Sequence, residues 1–266
     1  MSVRADKTEP QKGVFTIGRW SHASRLDALL VKRGLAASRQ RAQSMIEAGQ
    51  VKVNGLIARK PAMKVRPDHQ IELVKEDHPW VGRGAFKLLG VLKPFGVDAE
   101  GKVCADLGAS TGGFTQVLLE HGAQKVYAID VGRDQLDLKL RTDPRVIVME
   151  ETNVRHLEHL PEQMDLIVGD LSFISLALVL PAVARFLRPG GEAVLLIKPQ
   201  FEVGKSGVQK DGLVKNEINR RHAIERIGAV ADNMGFQWLH GRNCSVPGAK
   251  AGNIEYFTHL RWTGGS

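Results

Sequence analysis

The most constraining stretch of this chain is ADLGASTGGF at residues 105–114. An apolar run, VCADL, leads into Asp106, then a glycine-rich turn, then the helix-forming run GFTQVLLEHG. Glycine lacks a Cβ, so backbone can bend tightly and come close to a ligand. A helix N-terminus adds free N–H groups and the positive end of its dipole. Such a turn needs a sheet behind it, because open α/β sheets bind ligands at the carboxyl ends of their strands. The flanking pattern agrees. KVYAID, RVIVME, DLIVGD and EAVLLIKP read as strands, while DQLDLKLR, LALVLPAVARFL and NEINRRHAIERIGAVADNMG read as helices. Two further strands fall near 236–245 and 253–261. Alternation of this kind predicts a mostly parallel sheet with helices on both faces, a doubly wound α/β fold.

The detail of the turn separates two cofactors. A dinucleotide fingerprint is G-x-G-x-x-G, and the spacing of Gly108, Gly112 and Gly113 does not match it. Asp106 just before the turn suits a ligand with a cationic amine and does not suit a pyrophosphate. Asp130, closing the next strand, can accept hydrogen bonds from two ribose hydroxyls. S-adenosylmethionine therefore fits this turn better than a nicotinamide dinucleotide.

Ahead of this domain lies a smaller unit. Leu26, Leu29 and Leu30 sit at helical spacing, with Gly34 placed to stop that helix. Ser38 can cap a second helix, with Ala42, Met45 and Ile46 facing inward and Gly49 after it. VKVNGLIARKP reads as strand, Asn-Gly turn, strand, and IELV at 71–74 as another short strand. The expected division is a loose arm over 1–23, a small α+β domain over 24–76, a Pro- and Gly-punctuated linker over 77–86, and the large α/β domain over 87–266. Charge follows this division. Residues 1–80 hold 15 Lys/Arg against 8 Asp/Glu, and the remainder 22 against 21. Most of the net charge of +8 thus sits on the front end, which fits a polyanion-binding module joined to a nearly neutral body.

Other classes are excluded. Two cysteines, Cys104 and Cys244, cannot form a disulfide framework or a Cys-based zinc site, and no metal is expected. No apolar run follows the early charges, so no secretory leader is read and the cytoplasm is the expected compartment. The uncharged run Leu171–Ala184 has 14 residues and contains Pro181. A spanning helix needs about 20 apolar residues, so this run is expected in a core.

Four charged residues fall at strand ends or in adjoining loops. They are Lys87 in GRGAFKL, Asp170 in IVGDLSF, Lys198 in LLIKPQFE and Glu255 in GNIEYF. A charge beside a buried strand is costly unless it is paired or reaches solvent. Two lysines and two acids converging in one cleft would suit methyl transfer to a hydroxyl, which needs an aligned nucleophile relieved of its proton. The sequence leaves open whether Lys198 is a base or an electrostatic anchor.

These segments add up to a resemblance. RLDALLVKRGLAASRQRAQSMIEAGQVKVNG resembles the S-four-type RNA-binding domain. VGRGAFKL, DLGASTGGFTQVLLEHGAQKVYAIDVG, DLIVGDLSFISL, LLIKPQFEVGK and GNIEYF together resemble the TlyA family, haemolysin-type proteins with an FtsJ-like methyltransferase domain. The resemblance spans about residues 24–262. It implies a class I, Rossmann-like methyltransferase fold and 2′-O-methylation of ribosomal RNA, with cytidine the usual target. It implies a catalytic tetrad at Lys87, Asp170, Lys198 and Glu255, and Phe173 close to the active site. Cofactor contacts carry over to Asp106, Gly108, Ser110, Thr111, Gly112, Gly113, Asp130 and Asp170, with Asn153 on the adenine side. Arg25, Lys32, Arg33, Arg39, Arg41, Lys52 and Arg83 are the candidate RNA phosphate contacts. Such contacts position RNA without reading it, and make binding fall steeply with salt. The competing readings are a catalytically silent RNA-binding or ribosome-assembly factor and a membrane-active haemolysin.

Overall fold

A computed structural model of the chain describes residues 23–36, 38–47, 49–66, 68–74, 78–246 and 252–264. The expected arm lies outside them, apart from its last residue.

The small unit opens with β1 (Ser24–Arg25), α1 (Leu26–Lys32) and α2 (Arg39–Glu47). Strands β2 (Val51–Val53), β3 (Leu56–Ile57), β4 (Lys64–Val65) and β5 (Ile71–Leu73) follow. Strand β2 pairs antiparallel with both β3 and β5, and β1 pairs with β4. The Asn54-Gly55 turn joins β2 to β3 with φ positive at both residues, as a two-residue hairpin requires. Ser38 caps α2 through its Oγ, which accepts from the Arg41 N–H at 3.1 Å. Leu26, Leu30, Ala42, Met45, Ile46, Val51 and Val53 close a separate core, the one read from helical spacing.

The large unit begins with α3 (Gly84–Phe95). That helix starts three residues before the boundary expected at 87, because Gly84 and Ala85 pack against the glycine turn and Phe114. The order then runs β6 (Val103–Leu107), α4 (Gly113–Glu120), β7 (Lys125–Ile129), α5 (Leu138–Arg141), β8 (Val146–Met149) and β9 (Met164–Gly169). After them come α6 (Leu180–Phe186), β10 (Leu187–Ile197), α7 (Pro199–Glu202), α8 (Gly204–Gly207), α9 (Glu217–Asn233), β11 (Phe236–Asn243) and β12 (Tyr256–Trp262). Seven strands form one sheet in the order β11-β12-β10-β9-β6-β7-β8. From β8 through β10 all neighbours are parallel, and β12 inserts antiparallel between β10 and β11.

Side chains alternate across this sheet with period two. Cys104, Val126, Leu166, Val168, Val194 and Phe257 face a core built with α3 and α4. Ala105, Leu107, Ile129, Ile167, Leu195 and Ile197 face a second core built with α6 and α9. Being covered on both faces explains why the central strands read as near-continuous apolar runs. The run at 171–184 is broken: a 3-10 turn at Leu176–Leu178 precedes α6, and Pro181 sits in its first turn, where no N–H is needed. No helix among the described residues is long and apolar enough to cross a membrane.

Candidate functional site

Strands β6, β9 and β10 end side by side, and their carboxyl ends form the floor of a cavity of about 590 Å³. Its lining includes Lys87, Asp106, Gly108, Ser110, Thr111, Gly113, Asp170, Phe173, Lys198 and Glu255. Ten of the residues singled out from sequence therefore meet in one place. They come from the first turn of α3, the end of β6 and the turn after it up to the start of α4, the residues following β9 and β10, and the residue before β12.

The glycines explain how close these elements come. A Cβ on Gly113 would lie 2.8 Å from the Ala85 nitrogen, so glycine there lets α3 pack close against the start of α4, and this contact brings Lys87 to the cleft. Gly108 has φ +82° and a Cβ there would meet the Asp170 carbonyl at 3.1 Å. Gly112 packs behind the turn against Leu136 and Leu140 and does not line the cavity.

The four charged residues form a continuous chain of contacts. Lys87 Nζ donates to Asp170 Oδ2 at 2.9 Å and to Glu255 Oε2 at 2.8 Å. Lys198 Nζ lies 2.6 Å from Asp170 Oδ1 and donates to Ser172 Oγ at 2.7 Å. Glu255 is 3% exposed and Lys198 8%. Burial works to lower the Lys87 pKa, but the carboxylates of Asp170 and Glu255 outweigh it and hold the amine above its ordinary value. Burial likewise opposes ionisation of Asp170, and the two lysines overcome it, taking that carboxyl down to about 2.

Asp106 behaves in the opposite way. Its Oδ2 accepts from the Thr115 N–H at 2.9 Å and the Thr115 hydroxyl at 2.7 Å. Its Oδ1 is buried without a partner among the described residues. Burial pushes its carboxyl up to about 7, against those two hydrogen bonds. An orphan carboxylate oxygen on a cavity wall fits a ligand that brings a cationic donor.

Asp130 and Asn153 do not line the cavity. Asp130 ties two loops together: Oδ2 accepts from the Ser110 N–H at 2.8 Å and Oδ1 from the Gly132 N–H at 2.7 Å. A carboxylate can accept about four hydrogen bonds, so capacity for ribose hydroxyls remains. Asn153 caps a turn, its Oδ1 accepting from the Arg155 N–H at 3.1 Å.

The candidate phosphate contacts divide. Lys32, Arg33, Arg39 and Arg83 are exposed, and Lys52 is half-buried on β2. Arg25 and Arg39 both pair with the buried Asp27, at 2.8 and 3.2 Å. Arg41 is placed differently from the expectation. It is half-buried beside Asp137 of the large unit, because α2 packs there: Ser44 Oγ donates to Gln135 Oε1 at 3.5 Å.

Several lining residues gave no sequence signal. Ser44 and Glu47 bring α2 of the small unit to the cavity rim. Asn253 holds the 209–214 loop, accepting from the Val214 N–H and donating to the Gly212 carbonyl, both at 2.9 Å. Glu202 accepts from the Ser175 hydroxyl at 2.6 Å and the Leu176 N–H at 2.7 Å, joining the loop after β9 to α7. Ser172 and Gln200 adjoin the charged residues in DLSF and KPQF, where short polar neighbours could have marked them.

Comparison with known proteins now bears on this geometry. Residues 80–262 match the family model described as FtsJ-like methyltransferase, and residues 24–71 match the S4 domain. The chain is 46% identical over 241 residues to the 16S/23S rRNA (cytidine-2′-O)-methyltransferase TlyA of Mycobacterium tuberculosis, covering 90% of each chain. The chain belongs to the TlyA group of FtsJ-like methyltransferases. Hemolysin A of Brachyspira hyodysenteriae is 40% identical over 89% of this chain and 99% of its own length. A solved hemolysin structure from Streptococcus thermophilus superposes with a TM-score of 0.70 at 38% identity, covering 91% of this chain and 89% of that one. TlyA relatives thus carry both methyltransferase and hemolysin names. The expected fold, a class I methyltransferase domain with a small S4 domain ahead of it, is the one observed.

Proposed function

We propose that this chain is an S-adenosylmethionine-dependent methyltransferase acting on the ribose 2′-hydroxyl of a cytidine in ribosomal RNA. The observation that carries this reading is the Lys87–Asp170–Lys198–Glu255 chain lining one cavity with the glycine turn. The names of the TlyA relatives supply the substrate class.

When bound, S-adenosylmethionine supplies an electrophilic methyl group on a cationic sulfonium. The residues present fit it. Asp106 Oδ1 offers an unpaired acceptor to the amine of its amino-acid tail. Gly108, Ser110, Thr111 and Gly113 give it a closely approached backbone wall, and Asp130 holds spare acceptor capacity beside them.

The two lysines divide the remaining work. Lys87 is gripped by two carboxylates and keeps its proton. It fixes Asp170 and Glu255 and helps keep Asp170 ionised. Lys198 shares one carboxylate and one hydroxyl, and is the amine left to meet the ribose hydroxyl: it first releases a proton to solvent and then receives that of the hydroxyl. Phe173, 82% exposed beside Phe201, offers a ring at the cavity mouth to the target nucleotide. Lys32, Arg33, Arg39, Lys52 and Arg83 hold the RNA backbone outside the cleft, with Arg25 steadying Arg39 through Asp27. A ribosomal RNA substrate supports a working place with ribosomes in the cytoplasm.

The test combines the full chain, methyl-labelled S-adenosylmethionine and separated ribosomal subunits. Label on a cytidine O2′ is the expected result. Label on a base, or none on either subunit, overturns the reading.

A further inference from the structure

Gln200 is the second residue of α7, two positions past Lys198, and lines the same cavity. Its side-chain Oε1 is buried and has no hydrogen-bond partner among the described residues. The nearest amine along the chain cannot serve it, since Lys198 Nζ is held by Asp170 and Ser172. A buried acceptor left unpaired is destabilising, and in a binding cavity it marks the seat of a donor that the ligand brings. The rings of Phe173 and Phe201, 5.4 Å apart, wall the same cavity and offer apolar surface to an unstacked base.

Cytosine and uracil differ at one edge position. Cytosine carries an N4 amino donor where uracil carries an O4 acceptor. With its oxygen turned to the base, the Gln200 amide accepts from the first and is repelled by the second. We propose that Gln200 is the residue that selects cytidine over uridine, its Oε1 accepting a hydrogen bond from the N4 amino group of the target base. This inference rests on the methyltransferase reading above. It adds the residue that reads the base, and makes Gln200 a substrate-touching residue.

The experiment uses the full chain and ribosomal subunits whose mapped target nucleotide is either cytidine or uridine, and compares kcat/KM for the two. The wild-type ratio is expected to favour cytidine by about tenfold to a hundredfold, the usual worth of one base-edge contact. Gln200→Leu keeps the shape and removes the acceptor, so cytidine turnover falls while uridine turnover holds, and the ratio moves toward one. Gln200→Glu keeps an acceptor and should keep the preference for cytidine. Binding of S-adenosylhomocysteine, measured on each variant, checks that the fold is intact. A Gln200→Leu ratio equal to wild type overturns the inference, and so does a Gln200→Glu variant that loses cytidine preference while still binding S-adenosylhomocysteine. A wild-type chain that labels neither substrate overturns the methyltransferase reading, and this inference with it.

Discussion

Asp106 and Asp170 stand one at the end of β6 and one just past the end of β9, on adjacent parallel strands, and both line the same cavity. Burial raises the cost of ionising each, yet one carboxyl is pushed up to about 7 and the other taken down to about 2. Depth alone does not set this gap, although Asp170 keeps 20% of its side-chain surface exposed while Asp106 is buried. Partners do: Asp170 meets two ammonium groups, whereas among the described residues Asp106 meets only the hydroxyl and N–H of Thr115. A neutral donor lowers a buried carboxyl less than a cation does. The difference assigns the two ends of the cavity. Asp170 is complete within the protein and serves as fixed charge. Asp106 keeps one oxygen unpaired among the described residues, the one that the proposed function gives to the cofactor's amine.

The largest expected effect comes from removing a cation on the completed side. Lys198→Ala should lower kcat by about 10²- to 10⁴-fold, the usual worth of a positioned acid–base group. S-adenosylhomocysteine affinity should stay within about threefold of wild type, because Asp106 and its end of the cavity are unchanged. Lys198→Arg should not restore turnover, since a guanidinium does not give up its proton. Single-turnover kinetics on all three proteins check this, and an active arginine variant would remove Lys198 from the role of base.

The next effect tests the incomplete side. S-adenosylmethionine should bind more tightly as pH rises through about 7, where the free Asp106 carboxyl gives up its proton. Asp106→Asn should weaken binding by about tenfold, as expected for a lost charge-assisted hydrogen bond, and should flatten this pH dependence. Calorimetry between pH 6 and about 8 reads both. A wild-type profile without slope there would sever Asp106 from the cofactor's amine.

Stability of the ligand-free protein sharpens the same contrast. The folded Asp106 carboxyl holds its proton above its ordinary value of 3.8, so its contribution is complete below that value and is lost as pH rises toward about 7. Asp170 runs the other way: its contribution is present above 3.8 and is lost as pH falls through about 2. Thermal melts should therefore show Asp106→Asn gaining on wild type as pH rises from about 4 to about 7, a difference of a few degrees in Tm. Parallel melting curves across that window would contradict the assignment.

What the sequence made legible follows from the range of each interaction. The glycine turn, the Asn54-Gly55 hairpin and the strand-end charges are local: a few consecutive residues decide them. The meeting of Asp170 and Lys198 was legible because parallel strands in one sheet end on one edge, whereas Lys87, in α3, and Glu255, just before the antiparallel β12, were joined to them by the family resemblance. The half-buried setting of Arg41 was not legible because it depends on how α2 packs on the loop holding Gln135, 91 positions from Ser44. Asp130 was legible as an acceptor closing a strand, but its bonds to the N–H groups of Ser110 and Gly132 arise from loop backbone and leave no pattern in side-chain types. Glu202 escaped notice for a similar reason. A glutamate in KPQFE reads as a surface charge until Ser175 and Leu176 are folded onto it.

Glu202 also offers the smallest and most selective way to disturb the comparison. Its carboxylate, 7% exposed, receives Ser175 and Leu176 from the loop after β9, while Arg226 donates to its backbone carbonyl at 3.0 Å. It therefore fixes the distance between the segment bearing Asp170 and Ser172 and the segment bearing Lys198 and Gln200. It touches none of those reacting groups, so it is a positioning residue. Glu202→Gln keeps the volume but gives up one acceptor oxygen, and small misplacements at a reacting centre cost up to about a hundredfold. A partial shift of this kind should lower kcat by roughly tenfold and leave KM for RNA nearly unchanged. Asp106 lies on the other side of β9 from α7, so the cofactor-binding midpoint should stay near its wild-type pH. A merely destabilising change would lower Tm and weaken cofactor and RNA together. A loss confined to kcat, at a temperature well below the melt, is the signature of two strand ends slipping relative to each other.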